Sequence, residues 1–515
     1  MSTARGHGVE EKKPPAHAVF FPFPAQGHVA AALHLARLLH VHHGVRVTFV
    51  HSERNRRRIL RSRGPAALAG APGFRFAAVP DGLPPPSDED AEDDHSPEHI
   101  AALLAFIDAS VPHLRSVLDR AAASGAPATC VVSDIASVLR ASTRELGVPA
   151  VAFWTTGACG LWSNMLCQQL IEKGLVPLKG NEQLRNGYLD TIVDWAPGMP
   201  SDMRLRDFVS FVRTTDADDG MLRAVMGIMD TLRTAPSALI LNTFDELEAQ
   251  VLAAMRPVLP PIYTVGPLPL LAAEQQAAAG SLATLSASLS KEDGGCLAWL
   301  GRKPRRSVVY ANFGSIAVLT SHQLREFAWG LARSGHDFLL VVRKNDQAKD
   351  DACGGGPAAV LTPEFAEAAE GRGYVASWCQ QAEVLRHEAV GAFLTHCGWN
   401  SVLEGVCAGV PLLCWPFAAD QQTNCRFACT EWRVGVEVAA DVDRTEVAEL
   451  VREVMGGGEK GREMRRRAAE WKEKAEAAAA LPGGSAWVNL DRLVNQVFRR
   501  QSASQEMNLD TGRGH

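Results

Sequence analysis

Three polar side chains that could bind a diphosphate lie close together in the sequence. An apolar run ends at His396, and a helical pattern that includes Asn400 and Ser401 begins just after it. At a helix start the backbone N–H groups are unpaired, and the positive end of the helix dipole attracts phosphate. We therefore predict that these side chains and the neighbouring N–H groups bind a diphosphate.

The elements that must position this point can be read from the hydrophobic pattern. Residues 391–395 and 410–415 are apolar runs with the length of buried strands. The helix between them should begin near residues 398–401 and end at Gly409, a typical C-cap residue. This is a strand, helix, strand unit of a parallel sheet, so the helix start lies beyond the carboxyl end of a strand.

Further polar and aromatic side chains in this segment fit a nucleotide that carries a sugar. Glu404 lies one turn into the helix and can accept hydrogen bonds from ribose hydroxyls, and Trp378 offers a flat face for a pyrimidine ring. Asp420 and Gln421 follow the second strand on a loop, where a carboxylate and an amide can hold sugar hydroxyls.

Each of these residues also has a purely structural interpretation. Ser401 with Glu404 matches the S-x-x-E pattern of a capping box. A lone tryptophan such as Trp378, or a histidine at a strand end such as His396, is commonly a core residue. These interpretations explain single residues but not the ordered set.

Residues 378–421 are similar to the signature box of plant family 1 UDP-sugar-dependent glycosyltransferases, which opens with Trp-Cys, contains His-Cys-Gly-Trp-Asn-Ser and closes with Asp-Gln or Glu-Gln. The similarity implies that uracil stacks on Trp378 and is lined by Cys379 and Gln381. It implies that the diphosphate is bound by His396, Gly398, Asn400 and Ser401, and the ribose by Glu404. It also implies that the glucose hydroxyls are held by Trp399, Asp420 and Gln421.

Two positions of the box bear on how closely it follows the family. Gln380 stands where the family usually has proline or alanine, which affects loop stiffness near the base. In the family, a closing glutamine goes mostly with glucose donors and a closing histidine more often with galactose or arabinose. Gln421 therefore favours UDP-glucose, with UDP-galactose or UDP-xylose as the alternative donor.

A candidate general base lies far from this box. Residues 17–23 form an apolar strand pattern, and a helical pattern from about residue 28 to 40 places His28 at a helix start. Residues 129–133 are a second buried strand that ends at Asp134, so both side chains can project from the same sheet edge. An aspartate on one imidazole nitrogen fixes the tautomer of a histidine base. The alternative role for Asp134 is an N-cap of the next helix.

The family resemblance extends to the amino-terminal half. Residues 21–28 and 131–134 resemble the segments that carry the family's catalytic histidine and aspartate. Thr155 and Ser315 lie in segments that resemble the loops approaching the donor sugar and the phosphates. The implied reaction is an inverting transfer in which His28 deprotonates an acceptor hydroxyl, UDP departs from α-linked UDP-glucose, and a β-glucoside forms.

We expect this reaction to need no metal and no further cofactor. The D-x-D triplets at residues 88–90, 216–218 and 441–443 lie in polar or loop-like contexts, unlike a metal-diphosphate site. The eleven cysteines contain no C-x-x-C pair, and the spacing of Cys425 and Cys429, one helical turn, predicts packing rather than a zinc site.

Composition places the chain among soluble intracellular enzymes. The net charge of −6 over 515 residues argues against a nucleic acid partner. Scattered cysteines predict reduced thiols, and we find neither a signal peptide nor an apolar run of membrane-spanning length. We therefore expect a cytoplasmic monomer without membrane insertion, whose partners are a UDP-sugar and a small acceptor.

The fold class that the motifs and the resemblance imply is α/β of the GT-B type, with two Rossmann-like parallel-sheet domains facing across a cleft. The last helical stripe, by analogy with the family, packs back on the first domain. The expected boundaries are a disordered amino terminus at 1–16, an acceptor-binding domain at 17–265, a linker at 266–295, a UDP-sugar domain at 296–482, a carboxyl-terminal helix at 483–500 and a disordered tail at 501–515.

Two other classes of protein share parts of this pattern. A dinucleotide-dependent oxidoreductase should carry G-x-G-x-x-G after its first strand, where this chain has Pro-Ala-Gln-Gly-His. A non-catalytic nucleotide-sugar binding protein would keep residues 378–421 without needing His28 and Asp134.

The sequence indicates only that the acceptor is apolar. Segments 239–247 and 262–268 look closest to the family group that contains cyanohydrin glucosyltransferases. An apolar pocket for a phenolic, terpenoid or cyanohydrin alcohol is suggested by Trp154, Trp195, Met199, Phe208 and Phe417. Core packing is an equal alternative for several of these residues.

Overall fold

The computed structural model describes residues 16–81, 97–275, 288–289, 291–315, 317–343, 362–369 and 371–499. These residues build two parallel sheets. The first has seven strands in the order β3-β2-β1-β4-β5-β6-β7. Its strands are β1 His17–Phe21, β2 Arg46–Ser52, β3 Phe74–Val79, β4 Cys130–Ser133, β5 Ala150–Trp154, β6 Ala238–Leu241 and β7 Ile262–Thr264.

Most strands of this sheet are buried because helices cover both faces, whereas the edge strand β3 is partly exposed. Phe20 and Phe21 of β1, adjacent in sequence, enter different hydrophobic clusters on the two faces, as the period of two in a strand requires. The helices of this half are α1 Gln26–His43, α2 Glu53–Arg63, α3 Pro97–Ala123, α4 Ala136–Arg144, α5 Ala158–Glu172, α6 Gly220–Thr234, α7 Ala249–Met255 and α8 Leu268–Gln275.

The second sheet has six parallel strands in the order β10-β9-β8-β11-β12-β13. Its strands are β8 Val308–Asn312, β9 Asp337–Val341, β10 Gly373–Ala376, β11 Val390–Thr395, β12 Leu412–Cys414 and β13 Gly435–Glu437. Its helices, with the last one that follows them, are α9 Gly295–Leu300, α10 Ser321–Arg333, α11 Pro363–Ala369, α12 Gln381–Arg386, α13 Trp399–Ala408, α14 Gln421–Arg426, α15 Arg444–Met455, α16 Glu459–Ala479 and α17 Ser485–Leu493.

In each sheet the strand order reverses beside the first strand of the unit, and ligands of such sheets bind at this switch point. In the first sheet β1 lies between β2 and β4, and in the second β8 lies between β9 and β11. The carboxyl end of β1 leads to His28, and that of β11 leads to His396.

The two sheets share one hydrophobic core cluster. It includes Leu241 and Phe244 from the first half together with Trp399 and Trp432 from the second. The indole Nε1 of Trp432 donates to the carbonyl of Leu247 at 3.0 Å. The halves are therefore joined by packing and by hydrogen bonds at the base of the cleft.

Helix α17 and the turn that continues it, Val494–Phe498, pack on the first half. Leu490 and Phe498 are fully buried in the cluster that holds Phe20 and Val47. Asn489 donates its side-chain amide to the Thr264 carbonyl at 3.1 Å.

Several expected segments fall on residues that are not described, namely 1–15, most of the connector within 276–290, and 501–515. No helix among the described residues has the length and apolarity needed to cross a membrane.

Candidate active site

His28 and Asp134 lie in direct contact at the carboxyl edge of the first sheet. His28 is in the first turn of α1, and Asp134 follows the last residue of β4. The Nδ1 atom of His28 is 2.5 Å from Oδ2 of Asp134 and 3.1 Å from Oγ1 of Thr155, which follows β5. The Asp134 side chain is 4% exposed and that of His28 is 33% exposed. The imidazole is therefore held through Nδ1, while about a third of the His28 side chain remains exposed.

The alternative N-cap role of Asp134 is wrong. Helix α4 begins at Ala136 and its N-cap residue is Ile135. The second oxygen of Asp134, Oδ1, instead accepts from the backbone N–H of Phe23 at 2.7 Å. The Phe23 ring packs edge-on against His28 with centroids 5.2 Å apart. Asp134 thus fixes both the turn before α1 and the ring that α1 carries.

Helix α13 begins at Trp399 with Gly398 as its N-cap and ends at Gly409, which has a positive φ of 71°. The predicted strand, helix, strand unit and its C-cap glycine are confirmed. Since the N-cap is Gly398, Ser401 lies inside the first turn, and the capping-box interpretation of Ser401 with Glu404 is wrong.

His396 lies in a cradle made by two glycines. A Cβ atom on Gly314 would lie 2.4 Å from the imidazole Cε1, and one on Gly398 would lie 2.5 Å from Nε2. Burial lowers the pKa of His396 to about 4, so the ring is neutral at pH 7. Its buried Nδ1 has no hydrogen-bond partner within the part of the chain that the structure describes. This nitrogen is positioned for a ligand group at the start of α13.

The start of α13 is tied to the first half of the chain. The Asn400 side chain donates to the Gly27 carbonyl at 3.1 Å, and the Trp399 indole donates to the Asn242 carbonyl at 2.8 Å. Trp399 is 3% exposed, and a Cβ on Gly157 would lie 2.5 Å from its ring. Because the single indole donor is already bound, a sugar hydroxyl can reach only the main chain of Trp399.

Gln381 is the centre of a polar network between β8, α12 and α13. Its Oε1 accepts from Asn312 at 2.7 Å, and its Nε2 donates to Ser401 at 3.0 Å and to Oε2 of Glu404 at 2.7 Å. Burial raises the pKa of Glu404 to about 7, which makes this carboxyl sensitive to any group that donates to it.

The Trp378 and Cys379 side chains occupy different environments. Trp378 is half-buried, and its indole donates to Ser288 at 3.0 Å. Cys379 is 5% exposed, with its Sγ 3.2 Å from the Tyr310 hydroxyl, so its thiol faces the core and only its main chain can line a bound base.

Asp420 ends the loop after β12 as the N-cap of α14, and Gln421 is the first residue of that helix, so its predicted position on a loop is wrong. The Gln421 Oε1 accepts from the backbone N–H groups of Phe417 at 2.8 Å and Ala418 at 3.0 Å, which leaves its NH₂ group as the part available to a ligand. Burial raises the pKa of Asp420, whose Oδ2 accepts from Asn424 at 2.9 Å.

Asn424 is a site residue that the sequence did not reveal. Besides Asp420, its amide donates to the Cys397 carbonyl at 3.0 Å, and its Oδ1 is 3.6 Å from the thiol of Cys159. Its partners lie on three separate segments, so no spacing in the sequence pointed to it. The same holds for Glu248, whose buried carboxylate accepts from the two N–H groups at the start of α5.

The remaining predicted residues are placed as follows. Ser315 is on the loop after β8 and follows Gly314, which has a φ of 73° and against which the His396 ring packs. Phe208 is fully buried in the core, which selects the core alternative for this residue over the pocket. Trp154 and Trp195 are partly buried, Met199 is buried, and Phe417 is exposed.

None of the described D-x-D triplets gathers at the cleft. Asp216 accepts from the backbone of Asp218 in an exposed loop, and Asp443 caps helix α15. The triplet at residues 88–90 lies outside the described residues.

Comparison with known proteins gives a consistent result along the whole chain. Residues 242–465 match the family model described as UDP-glucoronosyl and UDP-glucosyl transferase. A 7-deoxyloganetin glucosyltransferase from Gardenia jasminoides is 48% identical, covering 94% of this chain and 98% of the relative. An (R)-mandelonitrile beta-glucosyltransferase from Prunus dulcis is 46% identical, covering 95% of this chain and 98% of the relative.

Solved structures agree with the architecture described above. Os79 from O. sativa in complex with UDP has a TM-score of 0.74 at 28% identity, covering 93% of this chain and 99% of that structure. UGT71G1 from Medicago truncatula, complexed with UDP-glucose, has a TM-score of 0.74 at 27% identity, covering 94% and 98%.

Proposed function

Because the chain belongs to the plant family 1 UDP-glycosyltransferases, we propose that its cleft transfers glucose from UDP-glucose to a hydroxyl of a small, largely apolar acceptor. Membership confirms the resemblance drawn from residues 378–421 and the similarity of segments 239–247 and 262–268 to the cyanohydrin group, and the two-sheet architecture is the GT-B fold. The chain is thus a glycosyltransferase. The proposal concerns which residues carry out the transfer, which UDP-sugar is the donor and which class of alcohol is the acceptor.

The contact between His28 and Asp134 carries the proposal. An ionised carboxylate only accepts hydrogen bonds, so Asp134 requires the proton of a neutral imidazole to be on Nδ1. The lone pair of Nε2 is then free to accept a proton from an acceptor hydroxyl. A protein that only binds nucleotide-sugar has no use for this arrangement.

The transfer is an inverting displacement. The acceptor oxygen forms a bond to the anomeric carbon, and its proton passes to Nε2 of His28. The bond from that carbon to the diphosphate oxygen breaks, and its electron pair leaves with UDP. Attack from the side opposite the α-linked leaving group gives a β-glucoside.

We assign the leaving diphosphate to the start of α13. There the helix N–H groups, the free Nδ1 of His396 and the side chains of Asn400, Ser401 and Ser315 supply hydrogen-bond donors or a positive dipole end. These groups can stabilise the developing charge without a metal, and the local bonds of Asp216 and Asp443 support that assignment.

The rest of the donor lies along α12, α13 and the loop after β12. We assign uracil to the face of Trp378 with the main chain of Cys379 and Gln381, the ribose to Glu404, and the glucose hydroxyls to Asp420, the Gln421 amide and the main chain of Trp399. Thr155, beside His28, lies where the sugar meets the base. For the acceptor, the relatives are named for 7-deoxyloganetin and (R)-mandelonitrile, which supports a small secondary-metabolite alcohol.

Mass spectrometry of a purified reaction tests this proposal. The enzyme is incubated with UDP-glucose and a panel containing a cyanohydrin, a terpenoid alcohol and a phenol, with EDTA in a parallel set. We expect a hexoside with β-anomeric NMR coupling and no loss of rate in EDTA. An α-linked product would overturn the inverting mechanism, and EDTA-sensitive turnover would overturn the metal-independent stabilisation of the diphosphate. Faster reaction with UDP-galactose or UDP-xylose would overturn the assignment of UDP-glucose as donor.

A further inference from the structure

Four cysteine thiols converge behind the start of α13. Cys397 follows β11, Cys414 ends β12, Cys425 is in α14, and Cys429 is in the π-helical turn Phe427–Glu431 that continues it. The sulfur atoms of the first three all lie within 4.8 Å of one another. The sulfur of Cys429 is 4.0 Å from that of Cys425. The sequence spacing revealed only the last pair, because the other two cysteines come from separate strands.

The surrounding backbone leaves space for this cluster. A Cβ on Gly435 would lie 3.0 Å from the Cys414 sulfur and 3.4 Å from the Cys429 sulfur, so a larger residue there would press on both thiols. The π-helical turn Phe427–Glu431, which carries Cys429, directly follows the helix that carries Cys425, and such turns are frequent at functional sites.

We propose that Cys397, Cys414, Cys425 and Cys429 form a binding site for one thiophilic divalent cation of the zinc group. Four sulfur ligands around one point suit the tetrahedral coordination of these cations. A metal–sulfur distance of about 2.3 Å places neighbouring sulfurs about 3.8 Å apart. The spacing among Cys397, Cys414 and Cys425 therefore needs to contract by no more than about 1 Å, and the Cys429 sulfur already lies 4.0 Å from that of Cys425.

Binding replaces thiol protons by the metal. Each thiol that coordinates the cation releases one proton to the solvent, and no electron is transferred. Cys429 is the partly exposed member, which gives the cation a route to the three buried sulfurs.

The position of the cluster links it to the donor site. Cys397 lies between His396 and Gly398 and has a φ of 64°, and Cys425 adjoins Asn424, which binds the Cys397 carbonyl. A cation held by the cluster would therefore fix the turn that begins α13.

Titration of the reduced, full-length protein with Cd²⁺ tests the proposal through the ultraviolet charge-transfer band of cadmium thiolates. We expect one equivalent to bind, with three or four protons released per cation. Cys414→Ala and Cys425→Ala should each weaken Cd²⁺ binding by more than about tenfold. Even the loss of a residue that only hydrogen-bonds to a metal ligand weakens metal binding by about that factor.

Two matched variants separate this cluster from the other cysteines. Cys167→Ala removes an isolated buried thiol, and Cys296→Ala removes one of a pair beside Cys379. Both should bind Cd²⁺ like the unmodified protein. The proposal fails if no stoichiometric band forms, if only one or two protons are released, or if Cys296→Ala abolishes the band. Because proton release is measured on the unmodified protein, the test stands even if an alanine variant does not fold.

Discussion

The side-chain amide of Asn400 donates a hydrogen bond to the backbone carbonyl of Gly27, the residue before His28. This bond joins the helix start assigned to the leaving diphosphate to the turn assigned to the base, although the two residues are 373 positions apart in the chain. Together with the bond from Trp399 to Asn242, it sets the distance between base and leaving group. The cleft is therefore held at its base by contacts between the sheets.

Gly157→Ala should disturb this arrangement. The new Cβ would lie 2.5 Å from the Trp399 ring, which is buried and anchored by its indole N–H, so neither side can yield easily. We expect a loss of stability of about 1–3 kcal/mol, as for other overpacked sites, with weaker UDP binding. Denaturant unfolding and calorimetry measure both.

Gly220→Ala is the matched control for that substitution. Gly220 begins α6 and a Cβ there meets nothing within 4 Å, so stability should stay within about 1 kcal/mol of the unmodified protein. Equal effects of the two variants would contradict the steric argument.

His28→Ala should remove the base and leave the donor site intact. General base catalysis contributes about 10²–10⁴-fold, so kcat should fall by that factor while the Kd for UDP stays nearly unchanged. His322→Ala, which changes an exposed histidine on α10, serves as control and should retain full activity. Near-normal turnover of the His28 variant would refute the assignment.

Asp134→Asn should reverse the tautomer of His28. The asparagine keeps an oxygen for the Phe23 N–H but can turn its NH₂ group to Nδ1 of His28, which moves the imidazole proton to Nε2. We expect kcat to fall by about 10²-fold or more, with an unchanged KM for UDP-glucose and unchanged thermal stability. An unaltered kcat would leave Asp134 with only its role in the turn at Phe23.

Local elements of the site were predictable because their signals are local. The start and end of α13 follow from an apolar strand, a glycine before the helix and Gly409 after it. The pairing of His28 with Asp134 also followed, since both stand at carboxyl ends of strands in one sheet, and β1 and β4 are neighbours.

The contacts between the two halves were not predictable in this way. Trp399 meets the Asn242 carbonyl across 157 positions of sequence, and Asn424 joins three segments. Such contacts depend on how the sheets pack, which no periodicity encodes. Ser401 illustrates the same limit, because its capping-box pattern was overridden by Gly398 and its hydroxyl meets Gln381 instead.

The affinity for UDP should depend on the ionisation of Glu404. Burial raises its pKa to about 7, and ribose hydroxyls donate to the carboxylate more strongly than to the acid. The ionised form thus binds UDP better, so binding releases a proton and affinity falls as the pH decreases from 8 to 6. At pH 6 the protonated form exceeds the ionised form by about tenfold.

Glu404→Gln separates this effect from the titration of UDP itself. The amide does not titrate, so any pH dependence left in the variant belongs to the nucleotide, and His396, with a pKa of about 4, is neutral throughout. Calorimetry in buffers of different ionisation enthalpy measures proton uptake for both proteins. Identical pH profiles would contradict a ribose role for the Glu404 carboxylate.

Gln421→Glu tests which half of the glutamine amide meets the sugar. The Oε1 atom is held by the N–H groups of Phe417 and Ala418, and a glutamate preserves those two bonds while replacing the NH₂ donor by an oxygen. If the NH₂ group donates to a glucose hydroxyl, kcat/KM for UDP-glucose should fall by about 10-fold or more, the cost of about 1.4 kcal/mol or more for a lost hydrogen bond. The Kd for UDP, which lacks the sugar, should change little.

Gln422→Glu, at the adjacent buried position, is the control for added charge. A similar loss of UDP and UDP-glucose affinity in both variants would show that charge, rather than the lost donor, is responsible.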